Sequence, residues 1–410
     1  MIEIVPSVPK FVLGSNRLLR YSAFVSSTVT LPYAAPKNLW RTEPGLMELA
    51  ALIALTMVLF FATLLYFRDY RSAVDGFGDS GAYLSIANSI RHWNFQGLQE
   101  KQFWGYPYAV AALSLATRIH PDWLLLVMVT ISCSVLSTVL AFRLWGGWVA
   151  ALFAILNFDW LQRSYLGGSE PLFVLLLFGS FWASRKERWA VAALLAAGAT
   201  VTRPVGVFAL IAIGLFLLVQ KRYWKLLTCT AIGIAIGALY VVPFWIYFGD
   251  PLYEFHRYQT ADWHSQSAIS APFFAIGTSI IHNQQPWTNL LLTLGWIALV
   301  AAGSLAIYKH RSKLSQKMPV ELYFAAGYLI FLFCYNSPQW ARAEFARFAI
   351  PVLPLIYLSL AEWLPQDRRI VWTLAVISPV LAACSAIGIR NVAIALHAHG
   401  PRVARLGNGL

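Results

Sequence analysis

Apolar blocks about twenty residues long recur along this chain, and that is the length an α-helix needs to cross a roughly 30 Å hydrocarbon layer. The first block is Leu46–Phe67, and further blocks follow as far as residues 370–389. Within a bilayer every backbone N–H and C=O must find an internal partner, so such blocks fold as helices. Composition points the same way: 59% of the 410 residues are hydrophobic and 12% charged, whereas a soluble domain is about half apolar and a quarter charged. That balance argues against a water-soluble domain, a disordered chain and a basic nucleic-acid-binding protein. The expected fold is an all-α polytopic membrane protein.

The candidate spans are residues 46–67, 123–143, 147–163, 168–184, 188–202, 204–220, 225–248, 288–308, 319–336, 346–363 and 370–389, about eleven transmembrane helices. The pieces 188–202 and 204–220 could instead be a tilted pair meeting at Arg203-Pro204. A further block, Tyr106–Ile119, is expected to lie flat in the interface after Pro107. If it spanned, the basic run Arg185-Lys186-Glu187-Arg188 would fall outside, against the tendency of Lys and Arg to stay cytoplasmic. With the N-terminus inside, Arg143, Arg185, Lys186, Arg188, Lys221, Arg222, Lys225, Lys309, Arg311, Lys313, Lys317, Arg368 and Arg369 all share the cytoplasmic side. The net charge of +13 thus reads as a topology signal.

Residues 1–45 form a basic, proline-interrupted cytoplasmic segment without the apolar core and cleavage site of a secretory signal. Residues 46–390 form one membrane domain, followed by a tail at 391–410. Cys133, Cys229, Cys334 and Cys384 lie inside apolar blocks without CxxC spacing and read as small core residues. Two outer loops, 68–122 and 249–287, are longer than connectors need to be. In the first, Tyr83, Ile86, Ala87 and Ile90 recur at helical spacing behind Asp79-Ser80, which predicts an amphipathic juxtamembrane helix with Asp79 as N-cap.

Ionisable side chains at membrane depth are costly and mark function. Asp75, Asp79, Asp159, Arg163, Glu170, Arg203, Asp250, Asp262, His264, Arg342, Glu344 and Arg347 all fall near outer ends of spans, as a shared cavity would require. Asp79, at a helix start, suits a hydrogen-bond acceptor or modest base; Asp75 is the alternative acid. Glu170 opens a span in Ser169-Glu170-Pro171, where capping explains it equally well. Asp159 and Arg163 are one turn apart and could pair. Arg203, in Thr202-Arg203-Pro204-Val205-Gly206, should meet a protein carboxylate or a phosphate. Arg342 and Arg347 flank Glu344; arginines suit bidentate capture of phosphate, and an internal salt-bridge network is the other reading. His264, in Asp262-Trp263-His264, fits a substrate edge or a plain loop position better than a metal site.

The order of these motifs resembles the GT-C superfamily of integral-membrane glycosyltransferases. The resemblance runs over about residues 46–363: Asp79 in Asp-Ser-Gly-Ala-Tyr, then Gly105-Tyr106-Pro107, Ser169-Glu170-Pro171-Leu172-Phe173, Thr202-Arg203-Pro204-Val205-Gly206, Gly249-Asp250-Pro251-Leu252, and Arg347-Phe348 with spaced prolines. It implies that Asp79 and Glu170 are catalytic, with Asp79 the base, and that two juxtamembrane helices of the first loop floor an outward cavity. It implies a substrate site drawn from Asp75, Tyr106, Arg163, Arg203, Asp250, His264, Arg342, Glu344 and Arg347. The donor would be a polyprenyl-phosphate sugar and the acceptor a hydroxyl, with membrane lipids as the other partners. No nucleotide, nucleic acid or metal ion is called for. The family often has two adjacent acids in the first loop, but here Ser80 follows Asp79; no large soluble C-terminal domain is expected. A transporter or lipid-linked-oligosaccharide flippase, or a polysaccharide polymerase or ligase, shares the hydropathy. The compact loops suggest a bacterial inner membrane.

Overall fold

The structure, a computed structural model, describes residues 46–66, 70–75, 77, 79–95, 98, 100, 102–260, 268–269, 271–281, 287–336 and 345–361. The expected last span, residues 370–389, and the sites proposed at His264, Arg342 and Glu344 lie outside the described residues, as do both termini.

The described chain is helical. From the N-terminus come α1 (Leu46–Tyr66), α2 (Tyr70–Asp75), α3 (Ser80–His92), α4 (Gly105–Thr117), α5 (Trp123–Trp145), α6 (Gly147–Leu156), α7 (Phe158–Tyr165), α8 (Glu170–Arg185) and α9 (Trp189–Thr202). A short 3-10 turn, Pro204–Gly206, leads into α10 (Val207–Val219), α11 (Tyr223–Phe248), α12 (Tyr253–Thr260) and α13 (Phe274–Ile281). Then follow α14 (Trp287–Lys309), α15 (Arg311–Lys317), α16 (Pro319–Cys334), α17 (Phe345–Ala349) and α18 (Leu353–Ala361). Ala268–Ile269 and Tyr335–Asn336 form a two-residue antiparallel pair.

Among the described residues three helices are individually long and apolar enough to cross a bilayer: Trp123–Trp145, Tyr223–Phe248 and Leu290–Lys309. α7 and α8 together pass the same test but are bent by 109° at their junction. Lipid contact explains the surface of α11, where Trp224, Leu227, Ile234, Leu239, Trp245 and Ile246 are exposed; in water such a face would be an association surface. Membrane embedding is thus a property of the fold.

Two expected spans are broken, for local chemical reasons. The block 147–163 divides at Asn157, whose backbone is extended and whose side-chain oxygen accepts the Trp160 N–H to cap α7. Asn competes with helical backbone bonding in this way and favours caps over helix interiors. The block 346–363 divides into α17 and α18 around Pro351 and Pro354, residues that remove helix hydrogen bonds. The Tyr106–Ile119 block becomes α4, which packs on α3, as a pair of first-loop helices should.

α8 lies at the centre, packed against α5 and α9, while α9 also contacts α11, and α10 packs on α16. Gly105 lets α4 approach α9, because a Cβ there would collide with the Val201 carbonyl. At the Arg185 end of α8 the charges are mainly basic: Arg185 pairs with Glu321 at 2.5 Å and donates to the Leu144 carbonyl at 2.6 Å, and Arg222 meets Glu187 at 3.1 Å. At the Glu170 end, where α8 begins and α9 terminates, a different cluster forms.

Candidate functional site

Glu170 is the first residue of α8, with Ser169 as N-cap and Pro171 following. Its side chain is only 4% exposed, and its Oε1 accepts from the Arg203 guanidinium at 2.5 Å and from Arg347 Nε. Arg163, on α7, stands 3.9 Å from the same oxygen. A carboxylate cannot be buried as an anion without such partners. Arg203 projects here because α9 ends at it in extended backbone before Pro204.

Asp79 lies on the more open side, with 31% of its side chain exposed. It faces Arg347 Nη2 at 3.4 Å and Arg163 Nη1 at 3.9 Å, and its Oδ1 accepts from Gln102 Nε2 at 3.2 Å. It occupies the N-cap position of α3, yet its side chain makes no capping bond. The expected N-cap position is thus met without a capping bond: the carboxylate oxygens face the arginines and Gln102 instead of the helix N–H groups. Burial alone would raise the Asp79 carboxyl, but Arg347, Arg163 and Gln102 together hold it below the usual carboxylate range.

Distant segments are tied together to make this convergence. The 165–169 turn, with Gly167 at a φ of +86°, is bound to the first loop at three points. Tyr70 Oη donates to the Tyr165 carbonyl, Ser80 Oγ to the Leu166 carbonyl at 2.6 Å, and Tyr83 Oη to Ser169 Oγ at 3.0 Å. Arg347 is located through its neighbours. Asn157 Nδ2 donates to the Ala346 carbonyl at 3.2 Å, and Tyr328 Oη to the Phe348 carbonyl at 2.6 Å. The Phe348 ring lies 5.5 Å from the guanidinium carbons of both Arg203 and Arg347, and Phe77 lies 4.5 Å from that of Arg163, within cation–π range.

A small cleft borders the cluster, lined by Arg203, Arg347, Tyr328 and Phe348 with Glu170 and Pro351 among its walls. Two guanidinium groups facing one cleft can bind an oxyanion through several charge-assisted hydrogen bonds. Among the described residues no three His, Cys, Asp or Glu side chains gather closely enough to hold a metal ion.

Of the residues proposed from sequence, Asp79, Arg163, Glu170, Arg203 and Arg347 come together. Three do not join them. Asp75 pairs with Arg71 at 3.5 Å on an exposed turn, an arrangement worth about 0–1 kcal/mol. Tyr106 is fully buried, donates to the Leu126 carbonyl at 3.1 Å and packs edge-on against Tyr83, so it supports the first-loop helices from behind. Asp250 accepts from exposed His256 at 2.7 Å, which holds its carboxyl below the ordinary range. Asp75 and Asp250 sit at helix ends like the charges that do converge, whereas Tyr106 entered only through the resemblance carried by Gly105-Tyr106-Pro107.

Gln102 and Tyr328 were not among the residues chosen from sequence. Gln102 precedes α4 in a stretch with no motif, and Tyr328 is one hydroxyl inside an apolar helix; only the latter carried a signal, a polar atom at membrane depth.

No family model matches this chain, and no curated protein matches it. Its function must therefore be argued from the site itself.

Proposed function

We propose that the chain is a GT-C-like membrane glycosyltransferase. It moves a sugar from a polyprenyl-phosphate donor to a hydroxyl acceptor on the extracytoplasmic face, in a bacterial inner membrane. The observation that carries this reading is the placement of Arg347, which binds buried Glu170, reaches Asp79 and, with Arg203, lines the cleft. About eleven spans, with the basic Arg185 end in the cytoplasm, would place the cleft outside.

The chemistry follows from these positions. The donor phosphate sits at Arg203 and Arg347, where preorganised cations stabilise the charge that develops as it leaves. Asp79 takes the proton of the acceptor hydroxyl while that oxygen attacks the anomeric carbon, and the carbon–oxygen bond to phosphate breaks with its electrons on the phosphate. One displacement inverts the anomeric configuration. Glu170 is the fixed counter-ion that keeps three guanidinium groups in place.

In the resting site Asp79 is a weak base, since the arginines stabilise its anion. A donor phosphate competes for Arg347, and each contact it removes from Asp79 raises that carboxylate's proton affinity. Because the base works ionised, activity falls as pH drops through its pKa. The acid limb of kcat/KM reports the free enzyme and that of kcat the complex. The first should lie below the ordinary carboxylate value of about 4, and the second at higher pH. Coincident limbs in the two profiles would mean that the phosphate does not engage Arg347.

The 109° bend between α7 and α8 favours a second reading, because transporters build substrate sites at broken helices. Purified protein in detergent separates the two: we expect turnover of a polyprenyl-monophosphate sugar with a hydroxyl acceptor, a reaction that needs no sealed membrane. Uptake by proteoliposomes without any such turnover would favour the transporter.

A further inference from the structure

A second carboxyl group is buried away from the arginines. Glu254 lies in the first turn of α12 in the second outer loop, is 2% exposed, and forms no ion pair among the described residues. Its Oε2 accepts from the Tyr240 hydroxyl, which in turn accepts the Trp104 backbone N–H at 3.1 Å. Among the described residues its Oε1 is buried without a hydrogen-bond partner, as are Trp104 Nε1 and the Tyr108 hydroxyl. The groups facing it are Tyr240 of α11 and Trp104 and Tyr108 at the start of α4; its own helix also carries His256 and Arg257. Burial pushes its carboxyl up to about 8, so at neutral pH it is an acid inside an aromatic enclosure.

The enclosure grips one stretch of the first loop. The Tyr253 hydroxyl donates to the Leu98 carbonyl at 3.4 Å, Phe255 meets Phe103 with ring centres 5.7 Å apart, and Trp104 packs on Phe244 at 4.6 Å. Leu98 and Trp104 bracket Gln102, whose amide donates to Asp79. Just beyond, Gly105 lies against the Val201 backbone of α9. The loop that carries Gln102 is thus held at both ends by side chains of the second outer loop and α11.

We propose that Glu254 is a positioning residue for Asp79: through Tyr240 it fixes the Trp104 backbone and so keeps the Gln102 amide on the Asp79 carboxylate. The proposal rests on the reading of Asp79 as the base, but it can be tested without the reaction. The carboxylate of Asp79 can be titrated in purified protein by infrared spectroscopy with isotope-labelled aspartate, its band being the one lost in D79N. Gln102→Ala should raise the Asp79 titration midpoint by about one pH unit, the scale of a hydrogen bond to a charged acceptor. Glu254→Ala and the milder Tyr240→Phe should raise it similarly, with no further rise when either is combined with Gln102→Ala. Glu254→Gln, which keeps an acceptor for Tyr240, should leave it unchanged. The proposal is overturned if Gln102→Ala shifts the midpoint and Tyr240→Phe does not, or if Gln102→Ala itself has no effect. Neither result depends on sugar transfer, so failure here is distinct from failure of the proposed activity.

Discussion

Asp79→Asn should insert and fold normally yet transfer sugar at least a hundred-fold more slowly than wild type, since a positioned general base contributes roughly 10²–10⁴ in rate. The substitution keeps the side chain's size and an acceptor oxygen for Gln102, and it leaves Arg203 and Arg347 on Glu170. What it removes is the carboxylate beside Arg347 that the proposed mechanism uses as its proton acceptor. Labelled-sugar transfer in detergent, normalised to folded protein, measures the effect. Turnover at the wild-type rate in this variant would remove Asp79 from the mechanism and, with it, the reason to regard the cluster as an active centre.

Glu170→Gln should act first on stability. The carboxylate is buried, accepts from two guanidinium groups and has a third 3.9 Å away. Removing one partner of a buried ion pair costs about 3–5 kcal/mol, because the remaining charge keeps its desolvation penalty. Total stabilities are of order 5–15 kcal/mol, so the thermal midpoint in detergent should drop far more than in Asp79→Asn. A variant with the wild-type midpoint but no activity would mean that Glu170 takes part in the reaction instead of anchoring the arginines.

Much of the helical framework was legible because apolar length and turn chemistry act locally. α1, α5, α8, α9 and α11 begin or end within a few residues of the limits read from the sequence. The break at Asn157 was not legible, since an Asn in an apolar run can face outward or cap a new helix, and only its bonds to Trp160 and Ala346 decide. The site followed a similar division. Charges at helix ends were visible one by one, and five of them meet. Asp75 and Asp250 had the same local signature but found partners on neighbouring residues, Arg71 and His256. Gln102 and Glu254 carried no motif, because the contacts that join them to the rest depend on packing between segments far apart in sequence.

The arginines around Glu170 also come from very different distances along the chain. Arg203 is 33 residues away, on the adjacent helix, whereas Arg347 is 177 residues away. During synthesis a hairpin of α8 and α9 can neutralise the carboxylate as soon as it leaves the ribosome, long before α17 exists. A first guanidinium partner for that buried carboxylate is therefore available within one helical hairpin, and Arg347, which bridges Glu170 and Asp79, joins from a segment translated much later.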